Sequence, residues 1–166
     1  MPGIAKIPIH RSDEVSVQLG RDDYKVQTSI VVKANAHDIY QLLRDRQNQH
    51  RIFPALHLLQ RLDDYLWLWE IYRNGTNGEV WRFMTETIES LPGRLISWRT
   101  TPQSEIFHAG SVWLLPSDDG TRIKVHLKFK PVGGRLGYWW SQFRKRDPET
   151  LVVNALENLK RQVEAQ

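Results

Sequence analysis

The chain has 166 residues and a mass of 19.5 kDa, enough for one domain with its own apolar core and too little for two of ordinary size. Twenty-three Lys and Arg against nineteen Asp and Glu leave a mild, dispersed net charge of +4, and the absence of cysteine excludes disulfides, thiol catalysis and thiolate metal sites together. The start MPGIAKIPIHRSDE has no apolar segment of signal-peptide type, and nowhere do about 18 apolar residues run together to span a bilayer, so a soluble, cytoplasmic protein is expected.

Residues 1–22 carry prolines, a glycine and scattered charges without periodicity, the pattern of a loose N-terminal arm ahead of a single domain over residues 23–166. YKVQTSIVVK then sets Tyr24, Val26, Thr28, Ile30 and Val32 on one face of a strand. Asn35 is placed to cap a helix that starts at Ala36, with Asp38 near the reach-back position and Ile39, Leu42 and Leu43 as its apolar stripe. A second short turn is predicted over Asn48 to Phe53, stopped by Pro54.

Six strands follow, each ended by turn chemistry. His57 to Leu62 runs into Asp63-Asp64, and Tyr65 to Tyr72 into Asn74-Gly75 and Asn77-Gly78, which are hairpin signals. Glu79 to Glu89 precedes Pro92-Gly93, Arg94 to Thr101 precedes Pro102, and Ile106 to Leu115 precedes Asp118-Asp119-Gly120. In Thr121 to Lys130, Ile123, Val125, Leu127 and Phe129 alternate with Lys124, His126, Lys128 and Lys130. Beyond an aromatic and basic segment, Leu136 to Arg146, the sequence Asp147-Pro148-Glu149 opens a helix whose Val152, Leu156, Leu159 and Val163 form one stripe.

A strand, two short helices, six strands and a long helix make an α+β domain in which a curved antiparallel sheet wraps the terminal helix. The stretches SIVVKANAHDIYQLLRDRQNQHRIFP, LPGRLISWRT, HAGSVWLLPSDDGTRIKVHLKFKP and DPETLVVNALENLKRQVE resemble the START-like, helix-grip (SRPBCC) superfamily, and within it the polyketide cyclase/dehydrase branch that is similar to coenzyme Q-binding proteins. The resemblance implies a seven-stranded sheet gripping the C-terminal helix around a hydrophobic cavity.

The aromatic content, seven Trp, five Tyr and five Phe, is concentrated in the middle strands. The Lys positions of the last strand must face out, which turns Val125, Leu127 and Phe129 inward. Alternation extends the inward set to Val112 and Leu114, to Ile96 and Trp98, to Trp81, Phe83, Thr85 and Thr87, and to Tyr65, Trp67, Trp69 and Ile71. Such a set either panels a ligand cavity, closed by Val152, Leu156 and Leu159 of the last helix, or packs as a filled core. Thr85, Thr87 or the indole N–H groups are available to orient a polar end. Arg82, Glu86, Glu70 and Arg99 have the opposite parity, a solvated face by default.

For catalysis the inward set offers only His108 and Tyr65 as acid/base candidates. Six histidines, at 10, 37, 50, 57, 108 and 126, lack metal-ligand spacing, and no P-loop, G-x-G-x-x-G or G-x-S-x-G occurs; no metal and no cofactor are expected. Arg44, Arg46 and Arg51 form a basic group without aromatic interleaving, so nucleic acid is not expected as a partner. The leading expectation is a binder or carrier of a hydrophobic small molecule: a lipid, isoprenoid quinone or polyketide-like ring. The family resemblance also implies an aromatase/cyclase or dehydratase. A third expectation is a partner- or membrane-docking protein using Trp113, Trp139, Trp140 and Phe143.

Overall fold

The computed structural model describes residues 24–54, 56–72, 80–104, 106–130 and 148–165. The N-terminal arm, the Asn-Gly turns at 74–78, the aromatic and basic segment with Trp139, Trp140 and Phe143, and the Asp147 cap lie outside the described residues. In chain order the elements are β1 (Tyr24–Val32), α1 (Ala36–Arg44), a 3-10 turn (Arg46–Asn48), α2 (Gln49–Ile52), β2 (Leu56–Arg61), β3 (Leu66–Tyr72), β4 (Val80–Leu91), β5 (Leu95–Thr100), β6 (Phe107–Ser117), β7 (Gly120–Lys130) and α3 (Pro148–Glu164). The fold is α+β of the helix-grip type, as expected, with element ends displaced by one or two residues.

The strands form one seven-stranded sheet in the order β1-β7-β6-β5-β4-β3-β2, antiparallel at every step. β2 to β7 make a meander, each strand pairing with the next in sequence, and β1 closes on β7. Asn35 caps α1 as its sequence requires: its Oδ1 accepts from Asp38 N at 2.8 Å and its Nδ2 donates to Asp38 Oδ2 at 2.8 Å. At the β4–β5 turn Gly93 has φ +69° and Arg94 N donates to Leu91 O at 2.9 Å.

The register confirms the inward parity of the last strands. Val125 sits between Thr28 and Val112, and Val112 between Val125 and Ile96, so one row crosses four strands. The α3 stripe Val152, Leu156, Leu159 and Val163 is buried against this row, together with Val26, Val32, Ile39 and Leu43. A second cluster gathers Trp69, Ile71, Trp81, Phe83 and Ile106 farther along the sheet. The core therefore has two centres.

The outward parity is less solvated than expected. Glu70 is buried and accepts from Arg82 Nε at 3.1 Å, and Glu89, Ser97, Ser111 and Lys128 are buried on the same convex face.

Gly120 starts β7 with φ +138°, and a Cβ there would stand 2.2 Å from the carbonyl oxygen of Val32. Side chains rarely adopt this φ, and the obstacle is backbone rather than a flexible tip. Gly120→Ala is expected to destabilise the fold by about 2 kcal/mol or more, read as a lowered midpoint in urea unfolding with an unchanged slope.

Candidate functional site

Between the two core clusters lies a cavity of about 220 Å³, continued by a second space of about 140 Å³. Phe83, Trp98, His108 and Val112 belong to the walls of both. An apolar void of about 150 Å³ is enough to admit benzene and to stay dry, so the larger space has ligand dimensions. Val112, Val125, Leu127 and Phe129 form its sheet wall, and Val152, Ala155, Leu156 and Leu159 its α3 wall. Leu43, Ile52, Phe53, Leu56, Ile71 and Ile106 also line it. Trp69 and Thr85 line the smaller space.

Gly110 explains how an indole fits this wall. It pairs with Trp98 on one side and Leu127 on the other. A Cβ there would lie 2.5 Å from Trp98 Cζ2 and 2.9 Å from Leu127 Cδ1. Glycine thus opens the space that the Trp98 ring occupies across the sheet.

Laid across Gly110, Trp98 donates its indole N–H to Nδ1 of His108 at 3.2 Å. His108 also stands edge-on to Phe83, with ring centroids 4.9 Å apart, and 6.0 Å from Phe129. Burial among these rings pushes its imidazole from 6.5 down to about 4. At neutral pH the ring is therefore uncharged, and because Nδ1 accepts, the ring proton is on Nε2. His108 is a neutral hydrogen-bond donor in an apolar wall.

Several sequence expectations require correction. Tyr65 is 57 % exposed and lines neither space. Asp63 Oδ1 accepts from the backbone N–H groups of Tyr65 and Leu66 at 2.6 and 2.7 Å, which holds Tyr65 in the turn before β3 and ends its inward alternation. Trp67 and Trp81 line neither space either. Trp81 is packed inside the second cluster, while Trp67 is half-buried beneath the guanidinium of Arg61, 5.4 Å from its centroid. Trp69 Nε1 donates to Thr85 Oγ1 at 2.7 Å, so this indole N–H is engaged and not spare to orient a ligand, while the Thr85 hydroxyl keeps its own proton to donate. Trp113 is half-buried on the convex face rather than an exposed docking ring.

Arg46 departs furthest from its sequence reading. Arg44 and Arg51 are exposed, but Arg46 turns inward from the 3-10 turn and lines the smaller space beside Gln49, Thr85 and His108. Desolvation pulls its guanidinium from 12.5 down to about 10, partly offset by Tyr40, and it stays charged at neutral pH. Nothing in the sequence marks this arginine apart from its neighbours; only the fold of the α1–α2 connection turns it inward. Gln49, in the same polar run, lines both spaces, and its Nε2 donates to Leu43 O at 2.9 Å. Among the described residues no cluster of His, Asp or Glu is suited to a metal, and no helix is long and apolar enough to cross a membrane.

A curved antiparallel sheet around a C-terminal helix, with an apolar space between them, defines a helix-grip protein. Residues 23–164 match the model of the polyketide cyclase / dehydrase and lipid transport family, and the chain belongs to that family. No curated protein matches it. Among solved structures, DR_A0006 from Deinococcus radiodurans has a TM-score of 0.67 at 22% identity, covering 86% of this chain and 98% of that one. TTHA0849 from Thermus thermophilus follows with a TM-score of 0.63 at 17% identity, covering 86% and 98%. The Zhui aromatase/cyclase from a Streptomyces species has a TM-score of 0.57 at 16% identity, covering 86% and 97%. At these identities the likeness is one of fold.

The lowered pKa of His108 carries a stability signature. Between about 6.5 and about 4 the unfolded chain binds a proton at this ring that the folded chain refuses, so stability present above pH 6.5 is lost as the pH falls through this window. The loss is on the order of 3 kcal/mol. In urea titrations the difference in stability between wild type and His108→Gln is expected to shrink by that amount from pH 7 to pH 4; a constant difference would mean an ordinary imidazole.

Proposed function

We propose that the protein binds and carries a hydrophobic small molecule, of lipid, quinone or aromatic polyketide type, in the space between the sheet and α3. The observation that supports this most directly is the composition of the larger cavity: among the described residues, Gln49 and His108 are the only polar ones in a wall otherwise made of aliphatic and aromatic side chains. Water gains few hydrogen bonds there, so an apolar guest is favoured by release of its own hydration and by contact with the walls. Phe83, Trp98, Val112, Val125, Leu127, Phe129, Val152 and Leu156 are the proposed contact residues in this space, with Trp69 and Thr85 in its extension. Trp81 packs within the second core cluster and Trp67 against it, beside these linings rather than in them.

The family description, which includes lipid transport, is consistent with carriage. A cyclase reading is favoured by one placement, that of His108 in both walls. Neutral His108 would stabilise a developing enolate by donating from Nε2 rather than by carrying a full charge. Tyr65, on the outer turn, has no part in this version. It requires that the protein accelerate the intramolecular aldol closure of a poly-β-ketone and that His108→Phe abolish the acceleration while binding persists.

Native mass spectrometry of the protein purified from its own host is expected to show a bound apolar species. Quinones or lipids that enter should quench tryptophan emission through Trp69 and Trp98. Leu127→Trp, which fills the larger space, is expected to weaken such binding by tenfold or more at little change in secondary structure. Retention of wild-type affinity by this variant would place the ligand elsewhere.

A further inference from the structure

We propose that Arg46 is an anion-recognition site within this cavity, and that the ligand is an apolar molecule ending in an oxyanion, a carboxylate or an enolate-type oxygen. The inference rests on the carrier reading and specifies the chemistry of its ligand.

Arg46 has few partners for its charge and its donors. A guanidinium has five N–H donors and no acceptor. Here its hydrogen bond is a long one, Nη2 to Thr87 Oγ1 at 3.5 Å, and its ring contact is with Trp67 at 6.0 Å from the centroid. Ion pairs among the described residues join Arg61 to Asp64, Arg82 to Glu70, Arg99 to Glu86 and Lys160 to Glu164; Arg46 is in none of them. A desolvated cation without a counter-charge is costly to the fold. The contact with Trp67 is shared with Arg61, at 5.4 Å from the same ring, and it supplies neither a hydrogen-bond acceptor in the plane of the guanidinium nor a negative charge.

The surroundings specify what would satisfy it. Among the described residues neither space has an Asp or Glu in its wall, so an incoming anion meets no like charge there. His108 lines the same space, is neutral, and offers a second donor at Nε2. A planar fork favours two parallel bonds to a carboxylate. An alcohol or ester would leave the positive charge uncompensated, so selection between acid and neutral ligands follows from the same desolvation that makes Arg46 costly.

The test uses the full chain, phenylnaphthylamine as a neutral fluorescent reporter of the cavity, and decanoate and decanol as competitors of equal chain length. Wild type is expected to release the reporter at a decanoate concentration at least tenfold below that of decanol. Arg46→Met should abolish that preference while the reporter still binds, and Arg46→Lys should keep part of it. Without ligand, Arg46→Met is expected to melt at the wild-type temperature or a few degrees above, because a half-buried charge without a counter-charge has been removed. Equal competition by acid and alcohol in wild type would overturn the anion site and leave the carrier reading intact. A large fall in the melting temperature of both variants would make Arg46 a structural residue and would also overturn it. Failure of the reporter to bind wild type would remove the carrier reading, and the anion site with it.

Discussion

One helix cannot fill the hollow of a seven-stranded sheet. Strands about 4.8 Å apart give a face about 29 Å across, whereas a helix with its side chains is about 10 Å wide. α3 spends its apolar stripe on the β1 and β7 side, in the cluster of Val26, Val32, Ile123 and Val125. Over β3 and β4 the concave face has to be covered by its own rings and by the short α1–α2 connection. The aromatic richness of the middle strands answers this geometric deficit. Trp69, Trp81 and Phe83 build a second core apart from the α3 stripe, and the space that neither core reaches is the cavity.

The polar atoms inside this region are arranged so that most of the wall remains apolar. Tryptophan brings area but also an N–H that is expensive to bury unpaired, about 1–3 kcal/mol. Two such groups are satisfied within the wall, Trp69 by Thr85 and Trp98 by His108. The ring faces are thereby left for a guest. The second pairing has a further effect, because it fixes the tautomer of His108 and makes its remaining nitrogen a donor. Thus a single glycine, Gly110, lets Trp98 of β5 lie across the strands, and through Trp98 sets the hydrogen-bonding character of His108, two residues from Gly110 on the same strand.

Much of this fold is legible in the sequence where one face alternates cleanly. In β7 the lysines leave no choice of parity, and Val125, Leu127 and Phe129 stand inward. YLWLWEIY is ambiguous because both of its faces are apolar. Leu66 and Leu68 are half-buried on one side while Trp69 and Ile71 are buried on the other, and alternation alone extends the inward face to Tyr65. What ends that face is a side-chain-to-backbone turn at Asp63, a competition between local hydrogen bonding and strand pairing that periodicity does not register. The pocket residues contributed by α1, α2 and the entry to β6 (Leu43, Gln49, Ile52, Ile106) escape for another reason. Their burial is decided by how short elements lie over the sheet, which is tertiary information. Arg46 is the extreme case, since an arginine in a polar run is ordinarily solvated.

A cavity next to a charged wall residue is unstable against collapse, because every Å³ left empty forfeits dispersion contacts. The structure resists collapse by fixing both sides independently. The sheet side is held by unbroken pairing between β5, β6 and β7. The helix side is tied at polar points outside the cavity: Asn158 Nδ2 donates to Ile52 O at 3.0 Å, Lys160 Nζ to Val31 O at 3.4 Å, and Lys33 N to Glu164 Oε1 at 2.8 Å. These bonds fix the distance of α3 from β1 and α2 without occupying the interior. α3 cannot settle deeper onto the sheet without breaking them, and the inward rings cannot advance to meet it without leaving their partners on neighbouring strands. Empty volume of this kind is preorganised: the cost of opening it is met during folding, so an entering ligand gains the wall contacts without having to create the space.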